Sequence, residues 1–185
     1  MVYKFIRKGS DRREDLPLEN ELIYKPKRTR THLRKLFLTF FYSGLAPKAP
    51  GTFGTFAGAI VGIGILGIAP VSTLLLLTIL LTIIAIREID KEEKKSGIHD
   101  ASSIVIDEVA GIWLAFTLSA GTWIQILLSI AFFRLFDIWK PSIIGRIDRE
   151  VKGGLGVMGD DIVAGIFAGL SSSILYGALL RLHLT

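Results

Sequence analysis

Residues 49–86 read APGTFGTFAGAIVGIGILGIAPVSTLLLLTILLTIIAI, and none of these 38 positions carries a charged side chain. A single helix of this length would be about 57 Å long, nearly twice the thickness of a bilayer core, which is about 30 Å. The run must therefore fold back on itself, and the segment Gly67–Pro70 (GIAP) is typical of a turn. The pattern predicts a hairpin of two apolar helices, at about Phe53 to Ile68 and Val71 to Ile86.

Glycine occupies every fourth position in part of the first helix of this hairpin, at Gly54, Gly58 and Gly62. Residues four apart lie on one face of an α-helix, and small residues let another helix approach closely. We therefore expect a neighbouring helix to pack tightly against this face.

Two further runs lack charge, 25 residues at Val109–Phe133 and 19 residues at Ile162–Leu180. The first run could form one tilted helix or two short ones. Two are favoured, because a single span would place Asp107 and Arg134 on opposite sides of a membrane, each without its natural partner. With a turn at Ser119–Thr122, the chain has three more apolar segments, at about Ile104 to Leu118, Trp123 to Ile138 and Asp161 to Leu182.

The sequence thus predicts an all-α integral membrane bundle of about five hydrophobic helices, some of them short or partly inserted. Residues 33–185 are expected to form one membrane-embedded domain, and residues 1–32 a polar, basic cytoplasmic tail. The charged run 87–103 is expected to extend the second helix as far as Gly97. Its acids, such as Glu92 and Glu93, are expected to be solvated and to contribute little to function.

Charge is distributed unevenly over the 185 residues, whose net charge is +5. Residues 1–36 contain 11 basic and 5 acidic groups, so the remainder is close to neutral. A basic tail beside apolar segments points to an anionic membrane surface and not to nucleic acid. With the amino terminus inside, every Lys and Arg except Arg181 falls on the cytoplasmic side, which satisfies the positive-inside rule. The polar loops that could carry an active site then face the cytoplasm.

Three polar segments remain once the apolar helices are set aside, and each lies at a cytoplasmic helix end. The first, Gly44–Thr55 (GLAPKAPGTFGT), is expected to be an irregular loop because it contains two prolines and three glycines. Its backbone amides, the hydroxyls of Thr52 and Thr55 and the charge of Lys48 would suit a phosphate. The alternative is a loop that only starts a helix.

The second segment, His99–Glu108 (HDASSIVIDE), places adjacent acids at the start of an apolar helix, where a carboxylate is costly unless something compensates it. Asp100 and Asp107 are seven residues apart and would share one helix face if the helix begins near Asp100. Alternatively, Asp100 caps the helix and Asp107 and Glu108 are favourable charges near its amino end. His99 is most simply interpreted as a surface histidine.

The third segment, from Arg134 to Asp161, includes a glycine-rich stretch at Gly153–Gly159 before a pair of aspartates. Arg134 and Asp137 are three residues apart and can neutralise each other. The glycines would let the backbone approach a ligand closely. The alternative role for Asp161 is a helix N-cap.

Carboxylates from these segments are expected to gather on one membrane face together with several cations: Asp100, Asp107, Glu108, Asp137, Asp148, Asp160 and Asp161. Magnesium takes oxygen ligands of this kind, while Lys and Arg bind phosphate. The absence of cysteine excludes thiol phosphatases and cysteine zinc sites, and no nucleophile motif of the haloacid-dehalogenase type occurs. The combination indicates metal-assisted phosphoryl chemistry at a lipid surface.

In this order along the chain, four segments resemble the phosphatidylglycerophosphatase A family: GLAPKAPGTFGT (Gly44–Thr55), HDASSIVIDEVAGIW (His99–Trp113), FRLFDIWKP (Phe133–Pro141) and DREVKGGLGVMGDDIVAG (Asp148–Gly165). The resemblance implies a magnesium-dependent, multi-pass enzyme of the bacterial inner membrane whose active site faces the cytoplasm. Its substrate would be phosphatidylglycerophosphate, from which it removes the terminal phosphate to yield phosphatidylglycerol and inorganic phosphate.

The resemblance and the three polar segments together suggest roles for individual residues. The expected catalytic residues are Asp100, Asp107, Glu108, Asp160 and Asp161, and the expected magnesium ligands are the same acids with Asp137. The residues expected to contact the substrate phosphate are Lys48, Thr52, Thr55, Arg134, Lys140, Gly153 and Gly154. Two other classes stay open: an ion-coupled transporter whose acids relay cations, and a non-catalytic protein that binds anionic lipid.

Overall fold

The computed structural model describes residues 28–119 and 121–182 of the chain. These residues form seven α-helices and one 3-10 turn at Ser43–Leu45, with no strand among them. The helices are α1 (Arg28–Leu38), α2 (Pro50–Ile68), α3 (Val71–Ser96), α4 (Ile106–Ser119), α5 (Trp123–Trp139), α6 (Ile143–Glu150) and α7 (Gly154–Arg181). The predicted all-α class is therefore confirmed.

The predicted turns between the apolar helices are also confirmed. α2 and α3 form the expected hairpin, and α3 continues beyond its apolar part until Gly97, whose φ of 71° ends the helix in the left-handed conformation. α4 and α5 are separate helices. The second of them begins with a capping box in which Thr122 and Gln125 each bind the backbone N–H of the other.

α4 lies at the centre of the molecule and packs against α2, α3, α5 and α7. Most of its side chains are buried, with Val109, Ile112 and Phe116 fully so, while Leu118 near its end is exposed. A helix that is apolar all round is expected at such a position. These four helices therefore surround α4, whose first turn carries Asp107 and Glu108.

Two glycine faces hold helices against α4. The predicted face of α2 meets it directly: a Cβ built on Gly54, Gly58 or Gly62 would come within about 3 Å of Val105, Val109 or Trp113, respectively. The Trp113 indole N–H also donates a hydrogen bond of 2.8 Å to the carbonyl oxygen of Gly58. On the opposite side, α7 approaches so closely that a Cβ on Gly165 would lie 2.3 Å from the carbonyl oxygen of Gly111.

Three of the described helices, α2, α3 and α7, are long and apolar enough to cross a membrane. α4 and α5 have 14 and 17 residues, which correspond to about 21 and 26 Å and fall short of a full bilayer core. This agrees with the expectation that some of the hydrophobic helices are short.

Two segments that the sequence analysis treats as loops are largely helical. α2 already begins at Pro50, because a proline in the first turn of a helix needs no N–H partner. The second loop, residues 139–160, contains α6 and the first two turns of α7. At the amino end, α1 begins at Arg28, so residues 28–32 of the expected tail are helical. Residues 1–27 of that tail lie outside the described residues.

Candidate active site

A cleft of about 240 Å³ lies at the end of the bundle where α2, α4 and α7 begin and α5 ends. All seven carboxylates expected at one membrane face line this cleft, together with one lysine and one histidine. The lining residues are Pro50, Gly51, His99, Asp100, Ser102, Ile104, Asp107, Glu108, Asp137, Lys140, Asp148, Gly156, Val157, Asp160 and Asp161.

The acids meet because of the close packing of α4 on α7. Asp107 and Glu108 stand in the first turn of α4, while Asp160 and Asp161 stand in the second turn of α7. One carboxylate oxygen from each of Asp107, Glu108 and Asp161 lies within 4.8 Å of the others. Three acids from two helices thus converge on a single point at the bottom of the cleft.

The converging acids are buried and incompletely satisfied. Asp107, Asp160 and Asp161 are only 7%, 5% and 3% exposed. Within the described ranges, no hydrogen-bond partner exists for the buried oxygens Asp107 Oδ1, Glu108 Oε2 and Asp160 Oδ1. The amino end of α4 favours negative charge nearby, but a buried carboxylate remains costly unless a cation neutralises it. The donor set therefore fits a hard divalent cation that prefers oxygen ligands.

Lys140 supplies a positive charge to the lining of the cleft. Its backbone ends α5 in the left-handed conformation, with a φ of 45°. Its ammonium donates hydrogen bonds to Asp148 and, at 2.7 Å, to Asp160 Oδ2. Burial opposes the charged form, but these two hydrogen bonds and the neighbouring negative charges outweigh it and raise the pKa of Lys140 above its ordinary value. The side chain is therefore cationic at every physiological pH.

Arg134 joins the start of α2 to the end of α5 beside the cleft. Its guanidinium pairs with Asp137 and donates to Thr52 Oγ1 at 3.1 Å and Thr55 Oγ1 at 3.3 Å. Gly51 lies in the same junction, where an added Cβ would come 2.2 Å from Glu108 Oε1 and 3.6 Å from Arg134 Nη1. Arg134 thus contacts Thr52 and Thr55, which the sequence analysis also assigns to phosphate binding, and it holds Asp137 in place. These three residues lie beside the cleft lining, and their phosphate-binding role stays a prediction.

The remaining residues expected to bind phosphate lie away from the cleft lining. Lys48 is exposed on the loop before α2. Gly153 and Gly154 stand at the start of α7, and the N–H of Gly154 already donates to Asp90 Oδ1 at 2.7 Å. Their phosphate-binding role stays a prediction.

Two explanations of the acids as helix caps are wrong. α4 begins at Ile106, so Asp100, six residues before it, does not cap this helix. The helix start near Asp100 that would have placed Asp100 and Asp107 on one face is also not observed. α7 begins at Gly154, so Asp161 lies inside the helix and is not its N-cap. In both cases the helix starts at a residue that the local sequence does not indicate, because tertiary contacts decide where each helix starts.

Sequence reasoning missed the role of Asp148 as the second partner of Lys140. The two residues are eight positions apart, and the short helix α6 folds back to bring them together. The available signal for this helix is the amphipathic pattern of α6, in which Ile144 and Ile147 stand among polar residues. The pattern covers only eight residues, which is too short to predict a helix with its direction. Two further acids outside the lining, Asp90 and Glu93, also contact segments of the site.

Comparison with known proteins gives consistent matches. The family model described as "Phosphatidylglycerophosphatase A" matches residues 36–176. Phosphatidylglycerophosphatase A of Escherichia coli (strain K12) is 39% identical over 137 residues, which cover 74% of this chain and 77% of the relative. The Haemophilus influenzae protein of the same name is 38% identical over 129 residues, covering 69% and 79%.

A third relative carries a different name. A putative phosphatidylinositol-3-phosphatase of Bacteroides thetaiotaomicron is 36% identical over 137 residues, which cover 70% of this chain and 85% of the relative. No solved structure matches the chain.

Proposed function

Because the chain belongs to the phosphatidylglycerophosphatase A family, we propose that it hydrolyses phosphatidylglycerophosphate to phosphatidylglycerol and inorganic phosphate. One observation carries the proposal beyond the family match. The cleft combines buried carboxylate oxygens that have no partner with the cationic Lys140, which contacts one of these acids, Asp160. A phosphomonoester needs both features, a cation held by acids and a positive side chain that contacts the phosphate.

Magnesium is the proposed cofactor, because the unpartnered oxygens offer the hard ligands that it prefers. Asp107, Glu108 and Asp161 would hold it, with Asp160, Asp100 and Asp137 beside them in the cleft. The chemistry that a bound divalent cation supplies is Lewis-acid polarisation of the phosphoryl oxygens.

The chain's own residues provide the binding and orientation that phosphoryl transfer requires. The Lys140 ammonium faces the cleft and would contact a phosphoryl oxygen, where it stabilises charge that develops during hydrolysis. The Asp148 and Asp160 carboxylates hold that ammonium in place. Arg134 fixes Asp137 and the start of α2, which together form the side of the cleft nearest the α2–α5 junction.

We expect the Lys140→Ala variant to release phosphate about 10- to 100-fold more slowly than wild type. One hydrogen bond to a charged group contributes about 1.5–3 kcal/mol, and about 1.4 kcal/mol corresponds to a factor of ten in rate. Phosphate release should be measured over a range of magnesium concentrations, with Lys152→Ala as an exposed control. Because Lys140 would act on the phosphate, added magnesium should not restore the rate, and full recovery would contradict this role.

The proposed setting is the bacterial inner membrane, with several helices crossing it and the cleft facing the cytoplasm. The outer faces of α2, α3 and α7 support membrane embedding, since Ile60, Leu76 and Ile174 are 71%, 66% and 73% exposed. Except for Arg181 at the end of α7, the basic residues of the described ranges gather at the cleft end of the bundle, and the turns between α2 and α3 and between α4 and α5 carry no charge. This distribution favours the cytoplasm as the side on which substrate is hydrolysed.

The orientation can be tested with single cysteines, because the chain contains none of its own. Cysteines at positions 48, 94, 142 and 152 should react with an impermeant thiol reagent from the cytoplasmic side. Cysteines at positions 69 and 121 should react from the opposite side. Labelling of positions 94 and 152 from opposite sides would contradict a single active-site face.

The function itself is tested by phosphate release from phosphatidylglycerophosphate with purified protein in detergent, with magnesium and with a chelator. Phosphatidylinositol 3-phosphate serves as the comparison substrate, in view of the third relative. We expect magnesium-dependent release that is faster with phosphatidylglycerophosphate. Faster release from the inositol lipid would overturn the proposed substrate, and binding without release would favour the non-catalytic alternative. Cation flux across sealed vesicles without release would favour the transporter.

A further inference from the structure

The charged end of α3, residues 87–96, is called here the α3 extension. Its acids contact three separate parts of the chain instead of being solvated. Two of them, Glu88 and Glu92, accept hydrogen bonds from the Arg34 guanidinium on α1, at 2.8 and 3.3 Å. The other two, Asp90 and Glu93, reach the segments that carry the cleft acids.

Asp90 holds the start of α7. Its Oδ1 accepts a hydrogen bond of 2.7 Å from the N–H of Gly154, one of the first amides of a helix, which have no partner within the helix itself. The preceding residue, Gly153, has a φ of 74°, and a Cβ there would lie 2.7 Å from the same Asp90 oxygen. Asp160 and Asp161 follow two turns further along the same helix, so their position depends on where α7 begins.

Glu93 holds the loop on the other side of the cleft. Its Oε1 accepts a hydrogen bond of 3.1 Å from the N–H of Asp100 and lies 2.7 Å from His99 Nδ1. Asp100 adopts a left-handed φ of 49°, which costs free energy in a residue with a side chain unless contacts hold it there. The Glu93 side chain is only 15% exposed, so the expectation that it is solvated is wrong.

We propose that the α3 extension positions the acids of the cleft from both sides. Asp90 fixes the start of α7 and thereby Asp160 and Asp161, while Glu93 fixes the loop that carries Asp100 and His99. One turn of a rigid helix thus sets the distance between two walls of the site. The inference rests on the proposed function, because it makes Asp90 and Glu93 positioning residues for a cation and phosphate site.

Hydrogen–deuterium exchange of the purified full-length protein tests the two contacts without substrate or metal. We expect Asp90→Ala to increase exchange in residues 153–158 and to leave residues 98–101 unchanged. Glu93→Ala should have the reverse pattern. Glu92→Ala is the matched control, because this acid lies on the same extension but contacts α1. It should alter neither segment.

Magnesium titration of phosphate release tests the consequence for the site. Outer partners that orient metal ligands typically affect metal affinity or activity by about 10- to 100-fold. We expect Asp90→Ala and Glu93→Ala each to raise the magnesium concentration for half-maximal activity by about tenfold or more. Asp90→Asn and Glu93→Gln keep an oxygen that can accept the same hydrogen bond, so they should stay near the wild-type value. Glu92→Ala should also stay near it.

The outcomes separate this inference from the proposed function. Unchanged exchange in both Ala variants would overturn it, as would equal loosening of both segments in all three variants, which would indicate general destabilisation. If Asp90→Ala does not fold, Glu93→Ala decides, because Glu93 lies in the last turn of α3. A wild-type protein that releases no phosphate would contradict the proposed function, while the exchange pattern would still report whether the extension positions these segments.

Discussion

The variants Asp107→Asn, Asp160→Asn and Asp161→Asn are each expected to fold and to lose phosphate release by about a hundredfold or more. Losing one preorganised electrostatic stabiliser of a transition state typically costs about 100- to 1,000-fold in rate. Asn keeps the size and most of the hydrogen bonding of Asp but removes the charge that a cation needs. Asp107 and Asp161 lie in the converging trio, and Asp160 offers one oxygen to Lys140 and one unpartnered oxygen to the cleft.

The measurement is the initial rate of phosphate release as a function of magnesium, together with thermal unfolding in detergent. Glu92→Gln is the control, because Glu92 pairs with Arg34 outside the cleft. Added magnesium should restore part of the activity of a weakened ligand variant. If all three Asn variants release phosphate at the wild-type rate with an unchanged magnesium requirement, the acids do not hold a catalytic cation and the proposed site is wrong.

Gly165→Leu is expected to prevent the protein from reaching its folded state. A Cβ at this position would lie 2.3 Å from the Gly111 carbonyl oxygen and 3.1 Å from the Gly111 Cα. Rotating a side chain cannot relieve a contact with backbone atoms, so α4 and α7 would have to separate. Overpacking costs about 1–3 kcal/mol even where a core can adjust. Separation would also pull Asp161 away from Asp107, so any residual folded protein should be inactive.

Recovery of monodisperse protein from detergent and its unfolding temperature are the measurements. Gly165→Ala adds the same Cβ, so it should also lower recovery and the unfolding temperature, but by less than the larger Leu side chain. Gly177→Leu is the matched control on the same helix, because a Cβ there would meet no described atom within 4 Å. Equal recovery of the Gly165→Leu and Gly177→Leu variants would show that α4 and α7 are not held by this close contact.

Hydrophobic runs predict most of the bundle because length and charge restrict how an apolar chain can cross or fold back. The hairpin turn before α3, the end of α3 at Gly97 and the glycine face of α2 all follow from local pattern. The start of α7 does not. Glycine disfavours helix, so the stretch at Gly153–Gly159 resembles a loop. In the structure, Gly154 begins α7 and packs so closely on α3 that a Cβ there would lie 2.2 Å from the Ile86 carbonyl oxygen, so this position requires glycine.

The candidate site, like the fold, could be predicted from the sequence only in part. Buried acids beside apolar segments are conspicuous in sequence, which is why the seven carboxylates could be grouped before their positions were known. Contacts between segments that are far apart in the sequence produce no recognisable sequence pattern. Asp90 and Gly154 are 64 residues apart, and nothing in the spacing of the α3 extension distinguishes Glu93, which contacts the cleft loop, from Glu92, which contacts α1.

The central position of α4 sets an order of events during synthesis. α7, which covers one side of α4, is the last of the described helices to leave the ribosome. Until then, Gly111 is packed only against Phe133 of α5, and Asp107 and Glu108 lack the neighbouring Asp161. A growing chain therefore has an acidic cluster that lacks the acids of α7. We expect tight cation binding only after α7 has been inserted.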